Sequence, residues 1–469
     1  MDASLIERFV AIVGEKYALR HEADIAPYVT ERRGLWGGKT PLVLRPGTVD
    51  EVSAILKLAT ETGTPIVPQG GNTGLVGAQM PDQTGTEVVL SMSRFDKIRE
   101  IDLESNTITV EAGVTLQRVR DAAEEAGKLF PLSLASQGTA QIGGNLSSNA
   151  GGTGVLAYGN TRDLCLGVEV VLPTGEVFDD LRKLKKDNTG YDLKDLFVGA
   201  EGTLGIITAA VMKLFPKPRG REVAWLGVES PADALKLFGM ATDRAGQSLT
   251  GFELMIHASL DFVLRHVPGA THPLSSPHPW YVLMEVSSGR SAEDARTLIE
   301  EILAEGFEAG LIADGVLAES LTQANALWNL RENMSEAQKP EGASIKHDVS
   351  VPVARIPSFI DEAWAAVTRL EPNARLVCFG HMGDGNLHYN ISQPVGIKPA
   401  DFLARYREIN DAVHDVVRAY NGSISAEHGI GRMKRDELIA TAPPVATDLM
   451  RRIKKSFDPA GIMNPNKVI

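Results

Sequence analysis

Two glycine-rich segments in the first third of the chain constrain its fold more than any other feature. One is Pro68-Gln69-Gly70-Gly71-Asn72-Thr73-Gly74-Leu75-Val76-Gly77, directly after a strand-like run. The other is Gly138-Thr139-Ala140-Gln141-Ile142-Gly143-Gly144-Asn145, continued by Asn149-Ala150-Gly151-Gly152-Thr153-Gly154. Without a Cβ, backbone can adopt φ > 0 and lie close to another backbone or a ligand. A single loop of this kind reads as a surface turn. Two in one region, each carrying Asn and Thr or Ser, point instead to backbone N–H groups arranged around a large cofactor with phosphates and rings. Neither reads G-x-G-x-x-G followed by a helix, so a Rossmann nicotinamide site is not supported.

Around these loops, residues 41 to about 214 alternate short β-rich runs with helices. PLVLRP, TPIVPQGG, EVVLSM, NTITVEAG, LGVEVVLP and GIITAAVMKLF read as strands, and VDEVSAILKLATETG as a helix with Gly63 just past its end. Pro-Lys-Pro-Arg at 216–219 marks a boundary. Beyond it, WYVLMEV, IKHDVSVPV and ARLVCFGH read as strands among amphipathic helices, an order that suits an antiparallel sheet with helices on one face. The expected division is a helical segment at 1–40, a cofactor domain at 41–217, a substrate or cap domain at 218–450, and a segment at 451–469 that packs back on the first domain.

Composition narrows the class. A chain of 469 residues is too long for one simple core. Its 60 acids against 47 bases give a net charge of −13, which argues against nucleic-acid binding. The two cysteines, Cys165 and Cys378, are too few for a disulfide framework or a thiolate metal site and sit among aliphatic residues, as buried structural thiols do. No apolar run approaches the ~18 residues that span a bilayer. The N-terminal run carries Glu7, Arg8 and Glu15 where a signal peptide would be apolar, while Leu5, Phe9, Ile12 and Val13 fit one helical face. A cytoplasmic protein is expected.

A second pair of motifs carries chemistry. FGHMGDGNLHYNIS at 379–392 puts His381 and His388 on either side of Gly383-Asp384-Gly385-Asn386, turn-formers that should fold into a tight reversal. That reversal can aim both imidazoles at one place, and SAEHGIG at 425–431 can add Glu427 and His428. Two His and a carboxylate with a position left open is what a catalytic divalent metal needs. Zn²⁺ suits the set, and Mn²⁺, Co²⁺ or Fe²⁺ would accept it. His257, His266, His272 and His278 lie in loops without partner ligands and are read as structural. Leu327 to Ser335 reads as one helix with Arg331 and Ser335 four apart on one face. With Lys346, on the predicted strand Ile345-Lys346-His347-Asp348, Arg331 would form a carboxylate clamp: a fork plus a point charge.

The motifs PQGGNTGLVGA, PLSLASQGTAQIGGNLSSNAGG, YGNTRD and DLFVGAEGTLGIIT resemble the FAD-binding domain of vanillyl-alcohol-oxidase type flavoenzymes, over roughly residues 40–215. The resemblance implies that the first loop holds the FAD pyrophosphate, the second runs towards the isoalloxazine, and the EGTLGI strand lines the cofactor through its backbone. It assigns Pro68, Gly70, Gly71, Asn72, Thr73, Gly74, Leu75, Gly138, Gly143, Gly144, Asn145, Gly202, Ile207 and Asn464 to cofactor binding. Some relatives attach flavin through His or Cys. Neither residue occurs in the two glycine segments, so non-covalent FAD is expected.

WNLRENMSEA, SIKHDVSVPV, FGHMGDGNLHYNIS, SAEHGIGRMKR and DPAGIMNPNK are similar to the branch of this family that holds D-2-hydroxyglutarate and D-lactate dehydrogenases. That similarity implies a zinc on His381, His388 and Glu427, His428 as the base, and Asn390 touching substrate. Arg331 and Lys346 would take the far carboxylate, with Ser335 standing where the branch has Thr. The implied fold is α+β: a two-part FAD-binding domain, an antiparallel-sheet cap domain with helices on one face, and a short C-terminal segment. The implied reaction is FAD-dependent, metal-assisted oxidation of D-2-hydroxyglutarate to 2-oxoglutarate, with D-malate, D-lactate and an O₂-using oxidase as alternatives. The electron acceptor would be an electron-transfer flavoprotein or a quinone-linked carrier, and an exposed helical face leaves a homodimer open.

Overall fold

Among the residues that the computed structural model describes, 1–31 and 33–469, the chain forms two units. The first comprises Met1–Gly152, Tyr158–Pro216 and Glu427–Ile469; the second comprises Thr153–Ala157 and Lys217–Ala426. The chain crosses between them within the Pro-Lys-Pro-Arg run. It rejoins the first unit at Glu427, earlier than the residue 451 expected above. The reason is local: the Arg432 and Met433 N–H groups donate to the Val76 carbonyl at 3.0 and 3.1 Å, which ties the strand of chain after His428 to the first glycine loop.

The first unit is built on two sheets. In the smaller one Val43–Leu44, Val88–Ser91 and Ile66–Gln69 run parallel, and Ala18–Leu19 adds an antiparallel edge. Helix Val49–Thr62 covers it. Thr48 caps that helix by accepting the Glu51 N–H at 3.2 Å, and Gly63 ends it at φ 67. Its buried residues Val52, Ile55, Leu56 and Ala59 fall at the three-to-four spacing of one helical face. Truncating Ile55 or Leu56 would cost about 2–5 kcal/mol. Helix Ala3–Val13 adds Phe9, Val10 and Val13 to the same core. The larger sheet is antiparallel, in the order Ile98–Asp102, Thr107–Glu111, Ile206–Lys213, Cys165–Val171, Val177–Asp180.

The second unit is one mostly antiparallel sheet whose central strands are Gly220–Val228, Trp280–Ser288, Leu249–Ile256, Arg375–His381 and Asn386–Ser392. Strand side chains alternate, so each strand supplies two cores. Ala224, Leu226, Val282, Met284 and Cys378 face the helices Pro231–Ala245, Ala292–Glu308, Ile356–Leu370 and Tyr406–Ala419. Val223, Trp225, Leu283, Val377 and Phe379 face a smaller cover, helices His257–His266 and Leu321–Glu332. Helices thus cover one face broadly and the other in part. Among the described residues, no helix is long and apolar enough to cross a membrane. Both cysteines are buried, and burial pushes the Cys165 thiol up to about 12.

Candidate active site

The first unit gathers the glycine segments face to face. A Cβ on Gly71 would lie 1.8 Å from the Thr139 carbonyl oxygen, so only glycine allows this approach; one on Gly70 would lie 3.8 Å from the Gly144 Cα. Gly143 N–H donates to the Ala112 carbonyl at 2.8 Å, anchoring the second segment to the larger sheet. Pro68, at the end of strand Ile66–Gln69, backs onto Gly202, whose Cβ would come 2.9 Å from Pro68 Cγ. Asn464 closes the set. Its N–H donates to the Ile66 carbonyl at 2.8 Å, and its Nδ2 donates to the carbonyls of Ala78 and Glu201 at 3.1 and 2.7 Å.

The remaining residues expected to bind cofactor take supporting positions. Asn72, at φ 54, spends its Nδ2 on the carbonyls of Pro27 and Thr30. Gln79 Nε2 bonds the Asn72 Oδ1 and the Gly74 carbonyl at 3.2 and 2.9 Å. Arg33 Nη2 donates to the Leu75 carbonyl, and Thr73 is half-buried. Ile207 is buried in the apolar core of the larger sheet. A flavin nucleotide fits this arrangement on two counts. Among the described residues, open space faces Gly138 and Gly144, and the buried amide oxygens of Asn145 and Asn464 have no hydrogen-bond partner.

The same unit holds Glu427 and His428. Gly152 N–H donates to Glu427 Oε1 at 2.6 Å, so the tail of the second glycine segment meets the candidate ligand. Just beyond His428, Ile430 and Gly431 donate their N–H groups to Glu201 Oε1 and Oε2 at 2.7 and 2.8 Å. Glu201 was not singled out from the sequence. Its signal is an acid in the otherwise small and apolar run Gly-Ala-Glu-Gly-Thr-Leu-Gly. Burial pushes its carboxyl up to about 6, against the pull of the two amides and Lys434.

In the second unit the reversal forms as the turn residues dictate. A 3₁₀ turn, Met382–Asp384, leads to Gly385 at φ 87, where a Cβ would lie 2.3 Å from the Val351 carbonyl oxygen. Strand Asn386–Ser392 then returns along Arg375–His381 and pairs His388 with Phe379. The His381 and His388 rings stand 6.0 Å apart, with ligand nitrogens within 4.8 Å, a spacing that suits one small cation. Asp348 pairs with His388 from the other side, and burial pushes Asp384 up to about 6, with His381 pulling the other way.

Arg331, expected in the carboxylate clamp, is paired with a buried acid. Its Nε and Nη2 both reach Glu253 Oε2 at 2.7 Å, and the other oxygen of Glu253 lies 2.6 Å from His381 Nδ1. Burial raises the Glu253 carboxyl, but His381 and Arg331 outweigh it and hold it down at about 2. Glu253 was not identified from the sequence either, although a lone acid in the strand LTGFELMI was a signal. The helix carrying Arg331 ends at Glu332, where the Asn333 side chain also donates its Nδ2 to the Asn329 carbonyl at 2.8 Å. Ser335 therefore lies past the helix end, exposed, with Lys346 Nζ 3.4 Å from its carbonyl. Asn390 is buried and its Oδ1 accepts the His347 N–H at 3.3 Å.

Comparison with known proteins fits this geometry. Residues 40–180 match the FAD binding domain family, and residues 217–468 match the family described as FAD linked oxidases, C-terminal domain. A mitochondrial D-2-hydroxyglutarate dehydrogenase from Arabidopsis thaliana is 36% identical over all of this chain and 82% of its own length. A D-2-hydroxyglutarate dehydrogenase from Xanthomonas citri pv. viticola is also 36% identical, over 95% of this chain and 93% of its own. The solved structure of p-cresol methylhydroxylase shares the fold, with a TM-score of 0.76 at 18% identity over 99% of this chain and 96% of its own. The chain belongs to the FAD-linked oxidase family, in the branch of the D-2-hydroxyglutarate and D-lactate dehydrogenases. It is a flavoprotein oxidoreductase with an FAD-binding domain of the vanillyl-alcohol-oxidase type.

Two outcomes follow from the first unit. Gly71→Ala should purify with a small fraction of the flavin that the parent retains, read as flavin absorbance per protein; full flavin content would show that the two segments need not touch. Glu201 binds its proton more tightly folded than unfolded, where such a carboxyl titrates near 4.5. Its contribution is most favourable below that value and is lost as pH rises to about 6, by about 2 kcal/mol at ~1.36 kcal/mol per unit. Glu201→Gln lacks this loss. The difference in Tm between variant and parent should therefore shift in the variant's favour from about pH 4.5 to about pH 7, and a constant difference would count against the burial argument.

Proposed function

We propose that this flavoenzyme oxidises D-2-hydroxyglutarate to 2-oxoglutarate, using a divalent ion held by His381, His388 and Glu427. The observation that carries this reading is the shared carboxylate of Glu253. It joins Arg331, the cation suited to an acid substrate, to His381, half of the imidazole pair. The names of the full-length relatives support it. Glu427 follows Ala426 directly, and the Ala426 N–H bonds the Asp348 carbonyl at 3.3 Å.

Each residue then has a task. Arg331 and Lys346, with Ser335, hold the far carboxylate, and Asn390 orients the substrate through its amide. His428 takes the proton of the C2 hydroxyl on a ring nitrogen, a task suited to an imidazole near neutral pH. Bound FAD supplies the acceptor for the hydride that leaves C2. The divalent ion, zinc being the one the His₂Glu set suits, supplies Lewis-acid stabilisation of the deprotonated oxygen. The product keeps both carboxylates and gains a C2 carbonyl, and the two electrons remain to be passed on. An electron-transfer flavoprotein or a quinone-linked carrier is the proposed acceptor, and a cytoplasmic location belongs to the same proposal.

Substrate choice is tested by comparing kcat/KM for D-2-hydroxyglutarate, D-malate and D-lactate. D-2-hydroxyglutarate should lead, and Lys346→Met should lower its kcat/KM by roughly 10- to 100-fold while leaving D-lactate nearly unaffected, since a hydrogen bond to a charged group contributes ~1.5–3 kcal/mol. A preference for D-lactate would remove the dicarboxylate assignment. His428→Asn should keep its flavin and its metal and lose about 10²- to 10⁴-fold in kcat, the range for one acid–base group. Turnover within a factor of about three, with both groups bound, would reassign the base.

A further inference from the structure

Glu253 is 1% exposed, in an apolar strand, and its two oxygens serve partners of different kinds. Cross-strand register places it directly opposite His381, so Oε1 lies 2.6 Å from Nδ1 of the ring without reaching. Oε2 accepts the Nε–H of Arg331 and pairs with its Nη2, the side chain arriving from helix Leu321–Glu332 on the same face of the sheet. The guanidinium also lies over the Phe379 ring at 4.8 Å, and that ring is 5.1 Å from the ring of His388. One carboxylate thus holds both the His381 ring and the Arg331 guanidinium.

We propose that Glu253 is a positioning residue that sets the tautomer of His381 and the place of Arg331 together. By accepting at Oε1 it keeps the His381 proton on Nδ1 and presents Nε2 as the lone-pair nitrogen for the divalent ion. By accepting at Oε2 it fixes the guanidinium relative to that ring. A carboxylate is needed because both partners donate, and it alone offers an acceptor to each. An amide has one oxygen, which Arg331 must claim, since arginine has no acceptor to offer an NH₂ group. The amide nitrogen then faces His381 Nδ1 and forces the proton onto Nε2, where it blocks the metal. This inference rests on the metal reading above.

The test is Glu253→Gln, isosteric with the parent, compared with it in flavin content, Zn²⁺ affinity by chelator competition, and selectivity between D-2-hydroxyglutarate and D-lactate. The variant should keep its flavin and its selectivity, because Arg331 keeps an oxygen, and should lose about 10- to 100-fold in Zn²⁺ affinity, as such outer partners do. A purely structural carboxylate would not separate these readouts. Unchanged Zn²⁺ affinity in a folded variant overturns the proposal and leaves the metal reading intact. A parent that takes up no divalent ion overturns both. Should the variant fail to fold, ¹⁵N imidazole shifts of His381 in the metal-free parent decide: a proton on Nδ1 supports the proposal, and one on Nε2 overturns it.

Discussion

The cofactor half of this enzyme depends on two glycine-rich stretches of backbone that lie close against each other. At Gly71 the facing atom is the Thr139 carbonyl oxygen, closer than any Cβ tolerates, and at Gly70 it is the Gln141 side chain, with the Gly144 Cα just beyond. Surfaces made this way present peptide dipoles, which is what a pyrophosphate needs and an apolar ligand does not. Their placement is then fixed from a distance. Asn464, near the end of the chain, bonds the strand before the first loop, the end of that loop and the Glu201 turn at once. Removing Asn464 would free three segments of the first unit together.

Two buried acids show how differently a carboxylate can be used. Glu253 lies between an imidazole and a guanidinium and is held ionised, so it acts as a fixed negative charge that orders two cationic or donating groups. Glu201 has amide N–H groups on both oxygens and a lysine near by, and burial still dominates. Its service is geometric: it gathers the Ile430 and Gly431 amides and so shapes the turn that follows His428. One acid organises charge, the other organises backbone. Both were hidden for the same reason, since their partners lie 78 and 128 positions away for Glu253 and 229 for Ile430 on Glu201.

What local physics determines was legible. The glycine segments, the Gly383–Asn386 reversal, helix Val49–Thr62 and its Gly63 stop follow from conformational preferences of a few neighbouring residues. The end of the Arg331 helix was not, because Leu327 to Ser335 contains no Gly or Pro, and the competing Asn333 side-chain bond to the Asn329 carbonyl is visible only in the structure. The return of the chain to the first unit at Glu427 was hidden in the same way, being set by contacts with Val76 and Glu201 rather than by any break in the sequence. An acid in an apolar strand is a visible anomaly. Its meaning needs the register that puts His381 opposite it.

That register also changes what Arg331 offers a substrate. Its charge is matched by Glu253, so a carboxylate arriving at the guanidinium meets a dipole more than a bare cation, and part of the fork is already in use. Pairing Arg331 in this way lowers the cost of burying it when no substrate is present. It also shifts the burden of attraction to other cations, of which Lys346, exposed and resting on the Ser335 carbonyl, is the one the sequence pattern places in the clamp. A flexible ammonium at the rim and a rigid fork in the interior divide the work between them. On the proposed function both would meet the far carboxylate, the ammonium drawing in a dianion and the fork fixing where its far end rests.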